Sequence, residues 1–155
     1  MSDDALSAML YRFHTNIFAR VEGLIAGPPI ALRGTTVPPL CAADGSSPTF
    51  QAFFSFTFDQ ALSALTKLPR IDAEPDGYFV ISGESAGQRW QVDGHLYDLN
   101  DHLHRVELHG DCPRYAFDAI LACFGWPATP LAFELVMEGV ALDEATFRKW
   151  AAQVT

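Results

Sequence analysis

The stretch MSDDALSAMLYRFHTNIFARVEGLIAG, residues 1–27, decides how the whole chain is assembled. Leu6, Met9, Leu10, Phe13, Ile17, Val21, Leu24 and Ile25 recur at spacings of three and four, the stripe of an amphipathic helix. Ser2, Asp3 and Asp4 form a start signal, and Gly27-Pro28-Pro29 a stop. The spacing therefore predicts a long helix from Asp3 to Ala26. Such a helix must bury its stripe, and the rest of the chain supplies the sheet on which it would lie.

Working outward, residues 28–48 are rich in proline, glycine and serine and read as an irregular connection, with IALRGTTV as a short edge strand. FQAFFSFTF, Phe50–Phe58, has the aromatic density of a buried strand. Thr57 and Gln60 stand at capping-box spacing before a short helix that Pro69 ends. From Tyr78 the period changes to two. YFVIS, RWQVDGHLYDL and HLHRVELHG form a three-stranded meander within residues 77–110.

Helical spacing returns at Phe117, Ile120, Leu121 and Phe124, with Asp111 or Cys112 as cap and Pro113 in the first turn. PLAFELVMEGVAL is one more strand, and Asp143 caps EATFRKWAAQ with Leu142 and Phe147 at staple positions. The expected fold is α+β, a single domain over residues 1–155. It comprises an antiparallel sheet of four or five strands, packed on one face by the long N-terminal helix and two or three shorter helices.

Composition bounds the function. With 49% apolar residues, 19% charged and twelve Phe, the chain lies on the folded side of the disorder boundary. Its start is acidic rather than basic, no apolar run approaches the ~20 residues that span a membrane, and three cysteines are too few for a disulfide framework. These features predict a reduced, cytoplasmic protein without membrane association. The net charge is −9, and Ile71 to Asp111 carries nine acids (Asp72, Glu74, Asp76, Glu84, Asp93, Asp98, Asp101, Glu107, Asp111) against Arg89 and Arg105. That field disfavours nucleic acid, which needs the opposite sign, and suits a basic protein partner.

Two motifs invite chemistry. Gly83-Glu84-Ser85-Ala86-Gly87 fits the G-x-S-x-G pattern of a nucleophile elbow, with Asp98 and His102 downstream in the order of a catalytic triad. An elbow must be followed by a helix, however, and Trp90, Val92 and Leu96 alternate with polar residues around Gly94 as a strand does. Ser85 is therefore expected in a hairpin loop. The second motif is the histidine-rich pair of strands.

If Trp90, Val92, Leu96, Val106 and Leu108 share the core face, pairs that sum to 200 set Asp93 against Glu107, His95 against Arg105 and Gln91 against His109, around a three-residue loop. His102 and His104 then fall at the rim of the apolar side. The opposite face gathers Asp93, His95, Tyr97, Arg105, Glu107 and His109, where Asp93 and Glu107 repel unless Arg105 lies between them. This face reads as a partner-binding surface. A metal site is weighed and set aside, because Arg105 would stand among the ligands, and no cofactor is expected. Cys112 and Cys123 read as structural.

The leading expectation is an acidic binding protein, an inhibitor or immunity-type partner of a basic protein. Its rivals are a small enzyme using Ser85 or the His95, Glu107 and His109 cluster, and an apolar-ligand binder lined by Phe50, Phe53, Phe54, Phe56 and Phe58.

Overall fold

The first ten residues of the structure, a computed structural model that describes residues 10–152, are a strand and not a helix. Strand β1 spans Leu10–Ala19, so the predicted N-terminal helix is overturned there; its Asp3–Met9 portion lies outside the described residues. Two periods coexist in this stretch. The helical stripe competes with an alternation in which Tyr11, Phe13, Thr15, Ile17 and Ala19 are buried while Arg12, His14 and Asn16 face the other way. Aromatic and β-branched side chains suit a pleated surface, and partners on both sides settle the choice. β1 pairs with one strand from Leu10 to Phe18 and with another from Thr15 to Ala19.

Those partners belong to a nine-stranded antiparallel sheet, which replaces the expected four or five strands under a long helix. After β1 come β2 (Ile25–Ala26), β3 (Ile30–Leu32), β4 (Thr35–Val37), β5 (Leu40–Cys41) and helix α1 (Phe58–Leu65). The meander follows as β6 (Ile71–Ala73), β7 (Tyr78–Ser85), β8 (Gln88–Leu99) and β9 (His102–Pro113). Helix α2 (Arg114–Ala122), β10 (Leu131–Leu135), β11 (Val140–Asp143) and helix α3 (Glu144–Ala151) complete the described chain. The spatial order is β2-β5-β11-β10-β1-β9-β8-β7-β6, while β3 and β4 form a separate two-stranded sheet.

Three short helices among the described residues cover one face. They press Phe117, Ile120, Phe147 and Trp150 onto Phe13, Ile17, Phe79, Val92 and Leu108 of the sheet. Phe133 and Phe147 stack with ring centroids 4.4 Å apart. Two of the three expected caps match the sequence signals. Thr57 and Gln60 exchange both capping-box bonds at 2.9 and 3.1 Å, and the Asp143 carboxylate accepts from the Thr146 amide at 2.8 Å.

Phe50–Phe58 is not a strand. It contributes one isolated bridge, Thr57 to His102, and passes the end of the β8–β9 hairpin with Phe50 on one face of the sheet and Phe54 in the main core. Its phenylalanines serve two clusters rather than one pleated face: Phe54 lies near Phe124, and Phe50 stacks on Phe18 at 4.5 Å. The single strand expected over residues 130–142 is a hairpin, β10 and β11. The cap expected at Asp111 or Cys112 falls inside β9, and Pro113, expected in the first turn, is itself the N-cap of α2 and supplies no side-chain capping bond.

Candidate functional site

The face of the sheet turned away from the helices is only partly covered. Phe18, Leu40, Phe50, Ala132 and Ala141 form a small second core at its β10–β11 side. Across β7, β8, β9 and the first part of β1 it carries polar groups. Side-chain alternation gathers Asp93, His95 and Tyr97 of β8 with Arg105, Glu107 and His109 of β9 on this side, as the sequence predicted.

Their register differs from the predicted one by two residues. Asp93 stands opposite His109, His95 opposite Glu107, and Tyr97 opposite Arg105. The cause lies at the hairpin end. Asn100 and Asp101 have φ of 54° and 69°, the left-handed pair of a two-residue turn closed by Leu99 and His102. Unbroken, that turn would set core residues of β8 against polar residues of β9; a register shift at Tyr97 and Asp98 corrects it, leaving His104 as the extra residue. Leu103 is fully buried in consequence, and His104 Nε2 lies 2.9 Å from the Phe50 carbonyl oxygen.

The corrected register removes the expected clash between Asp93 and Glu107 and gives each an imidazole opposite. Glu107 lies at the centre. Its Oε2 accepts from His14 Nε2 at 2.7 Å and its Oε1 from the Tyr97 hydroxyl at 3.0 Å. The bond from His14 is the largest cause that holds the Glu107 carboxyl below its ordinary 4.5; Tyr97, and the charges of His14 and Arg105, act in the same direction against the opposing effect of burial. Tyr97 moves the other way: burial first, then Glu107, raises its hydroxyl above 10.0.

Rings brace these groups. His14 stacks on His109 at 4.1 Å with 12° between planes, His95 stacks on Tyr97 at 4.6 Å, and the Arg105 guanidinium lies 3.9 Å over the Tyr97 ring. Arg105 is thus parked on Tyr97 rather than set between the two acids. Asp93 accepts from Gln91 Nε2 at 2.9 Å, and further along β1 Asn16 Nδ2 donates to Glu134 at 3.2 Å.

Between the strands is an open depression of about 190 Å³ lined by Tyr78, Asp93, Gly94, His95, Glu107 and His109. Tyr78 escapes a reading confined to β8 and β9; its signal is the alternation of Tyr78, Val80 and Ser82 against Phe79 and Ile81 along β7, which sets Tyr78 opposite His95. His14 was missed because residues 10–19 were read as helix; its signal was the alternation Arg12, His14, Asn16 against Tyr11, Phe13, Thr15. Among the described residues no group of three His, Cys, Asp or Glu side chains is placed to hold a metal ion.

The other sequence candidates lie elsewhere. Ser85 closes the β7–β8 hairpin opposite Gln88, with Ala86 and Gly87 in the turn at φ of 52° and 77°. A strand follows it, so helix amides for an oxyanion hole are missing there. Phe54 is buried in the main core, Phe50 in the second, and Phe53 is exposed. Burial raises the thiols of Cys112 and Cys123, the latter to about 11. No described helix is long and apolar enough to cross a membrane. No protein-family model matches the chain, and comparison with curated proteins and with solved structures finds no match.

Proposed function

We propose that this chain is an acidic binding protein whose open sheet face receives a basic protein partner, as an inhibitor or immunity-type protein would. The depression carries the reading. At about 190 Å³ it falls below the roughly 300–1,000 Å³ of small-molecule sites, and its size suits one long side chain. Asp93 and Glu107 supply charge for a guanidinium or ammonium group, and the ring of Tyr78 supplies a face for cation–π contact.

The pre-set hydrogen bonds of Glu107 also favour recognition over the rival reading of a small enzyme. A carboxylate held on both oxygens by His14 and Tyr97 is a fixed acceptor, not a base free to move. Three free cysteines, Cys112 among them fully buried, suit a reducing compartment such as the cytoplasm.

Titration of ¹⁵N-labelled protein with N-acetyl-arginine amide tests the reading. Saturable shifts are expected at Tyr78, Asp93, Gly94, His95, Glu107 and His109, and none with the neutral citrulline analogue. Equal shifts from the neutral analogue, or shifts scattered over unrelated acidic residues, would sink it.

A further inference from the structure

Two of the side chains that line the depression on the open face are imidazoles, His95 and His109, set among the carboxylates of Asp93 and Glu107. Imidazole is the side chain whose charge ordinarily changes between roughly pH 5 and 8, whereas carboxylates as a class stay ionised over most of that range. With both rings neutral, the depression presents its two carboxylates uncompensated. With both protonated, the two charges are cancelled.

The sheet register places each ring where its charge is felt. His95 stands opposite Glu107 on β9 and opposite Tyr78 on β7, with Asp93 and Tyr97 on its own strand. His109 stands opposite Asp93 on β8 and stacks on His14 of β1, with Glu107 and Asp111 along β9. Further out are Arg12 of β1 opposite Asp111, Arg105 of β9 over the Tyr97 ring, and Asp72 and Glu74 beyond β7. Glu107 keeps its charge in mild acid, because the bond from His14, helped by that from Tyr97, outweighs burial and holds its carboxyl below the ordinary 4.5.

We propose that the open face is a proton-gated binding surface, which holds a basic partner while His95 and His109 are neutral and releases it when they take up protons. The inference rests on the binding reading above and adds the condition under which that binding ends. A cationic side chain in the depression lies beside both rings, so a proton on either repels it. By linkage, the partner must then expel those protons as it binds. Affinity is fully present above the imidazole range and is lost as pH falls through it, the sign expected when the proton and the ligand carry like charge.

Calorimetry of the natural protein with a peptide containing four arginines, at about pH 7.5 and about pH 5.5 and one salt concentration, tests the gate. Affinity should fall about tenfold or more in acid, and titrations at about pH 6.5 in two buffers of different ionisation enthalpy should show release of roughly one proton per peptide bound. In the double variant His95→Gln with His109→Gln the acid loss should shrink to about threefold or less, the remainder coming from His14. His102→Gln removes a histidine at the hairpin end, outside the depression, and should leave the acid loss whole. Should the double variant fail to fold, the proton count on the natural protein decides alone. Equal affinity at the two pH values, or binding without proton release, overturns the gate and leaves the binding reading standing. An acid loss undiminished in a folded double variant, or reduced as much by His102→Gln, also overturns it and assigns the effect to overall charge. A peptide that binds at neither pH overturns both.

Discussion

Gly94 shows how much of this sheet turns on single atoms. It pairs with Leu108 on one side and Phe79 on the other, and a Cβ there would drive into the Phe79 ring, which is fully buried. Gly94→Ala should therefore lower stability by about 1–3 kcal/mol, the usual cost of overpacking a core, read as a shifted denaturant midpoint with unchanged slope. At the same scale, His14 sets the state of Glu107. The folded carboxyl titrates below its ordinary 4.5, so the contact stabilises at pH values above that range and is lost as pH falls through the depressed folded value. His14→Phe keeps a ring to stack on His109 but donates nothing. In that variant the Glu107 carboxyl, followed by ¹³C NMR, should titrate closer to 4.5, and the stability gap to the natural protein should close in acid. An unmoved titration would mean that His14 is not the principal cause.

Elements, unlike residues, answer to their neighbours, and the Gly-Glu-Ser-Ala-Gly hairpin is a case. Because β8 follows the turn directly, Ser85 should remain unlabelled by a fluorophosphonate probe; stoichiometric labelling lost in Ser85→Ala would refute the hairpin assignment. Asp143→Ala removes the bond to the Thr146 amide and should cost about 1 kcal/mol in thermal unfolding, since α3 stays anchored by Phe147 and Trp150. Both the hairpin and this cap were legible, because each is written in consecutive residues. The nature of β1 was not. Leu10, Phe13 and Ile17 satisfy a period of three to four and Tyr11, Phe13, Thr15 and Ile17 a period of two, so the choice rests on β9 and β10, about a hundred residues away. The polar face was read with its residues right and its register wrong, because the bulge at His104 leaves no mark in composition. His14 could enter the site only once β1 was a strand.

Across the whole molecule, charge is distributed as unevenly as the sequence suggested: the acidic block from Ile71 to Asp111 becomes β6 to β9, the half of the sheet whose polar face stays open. A basic ligand should feel this field before it makes contact, so its affinity should fall as salt rises past ~0.1 M, where the Debye length drops to about 10 Å. Net charge alone would give a similar trend, and a matched pair of reversals separates the two causes. Asp93→Lys alters a carboxylate inside the depression, whereas Glu138→Lys alters an exposed acid in the β10–β11 turn by the same amount. Glu107 is unsuitable for reversal, because a lysine there would displace the bonds from His14 and Tyr97 and disturb the face itself. For a peptide containing four arginines, calorimetry at 0.15 M salt should show affinity at least tenfold weaker for Asp93→Lys and changed less than twofold for Glu138→Lys, with both variants melting as the natural protein does. Equal losses from the two variants would assign the attraction to total charge and leave the open face as ordinary surface.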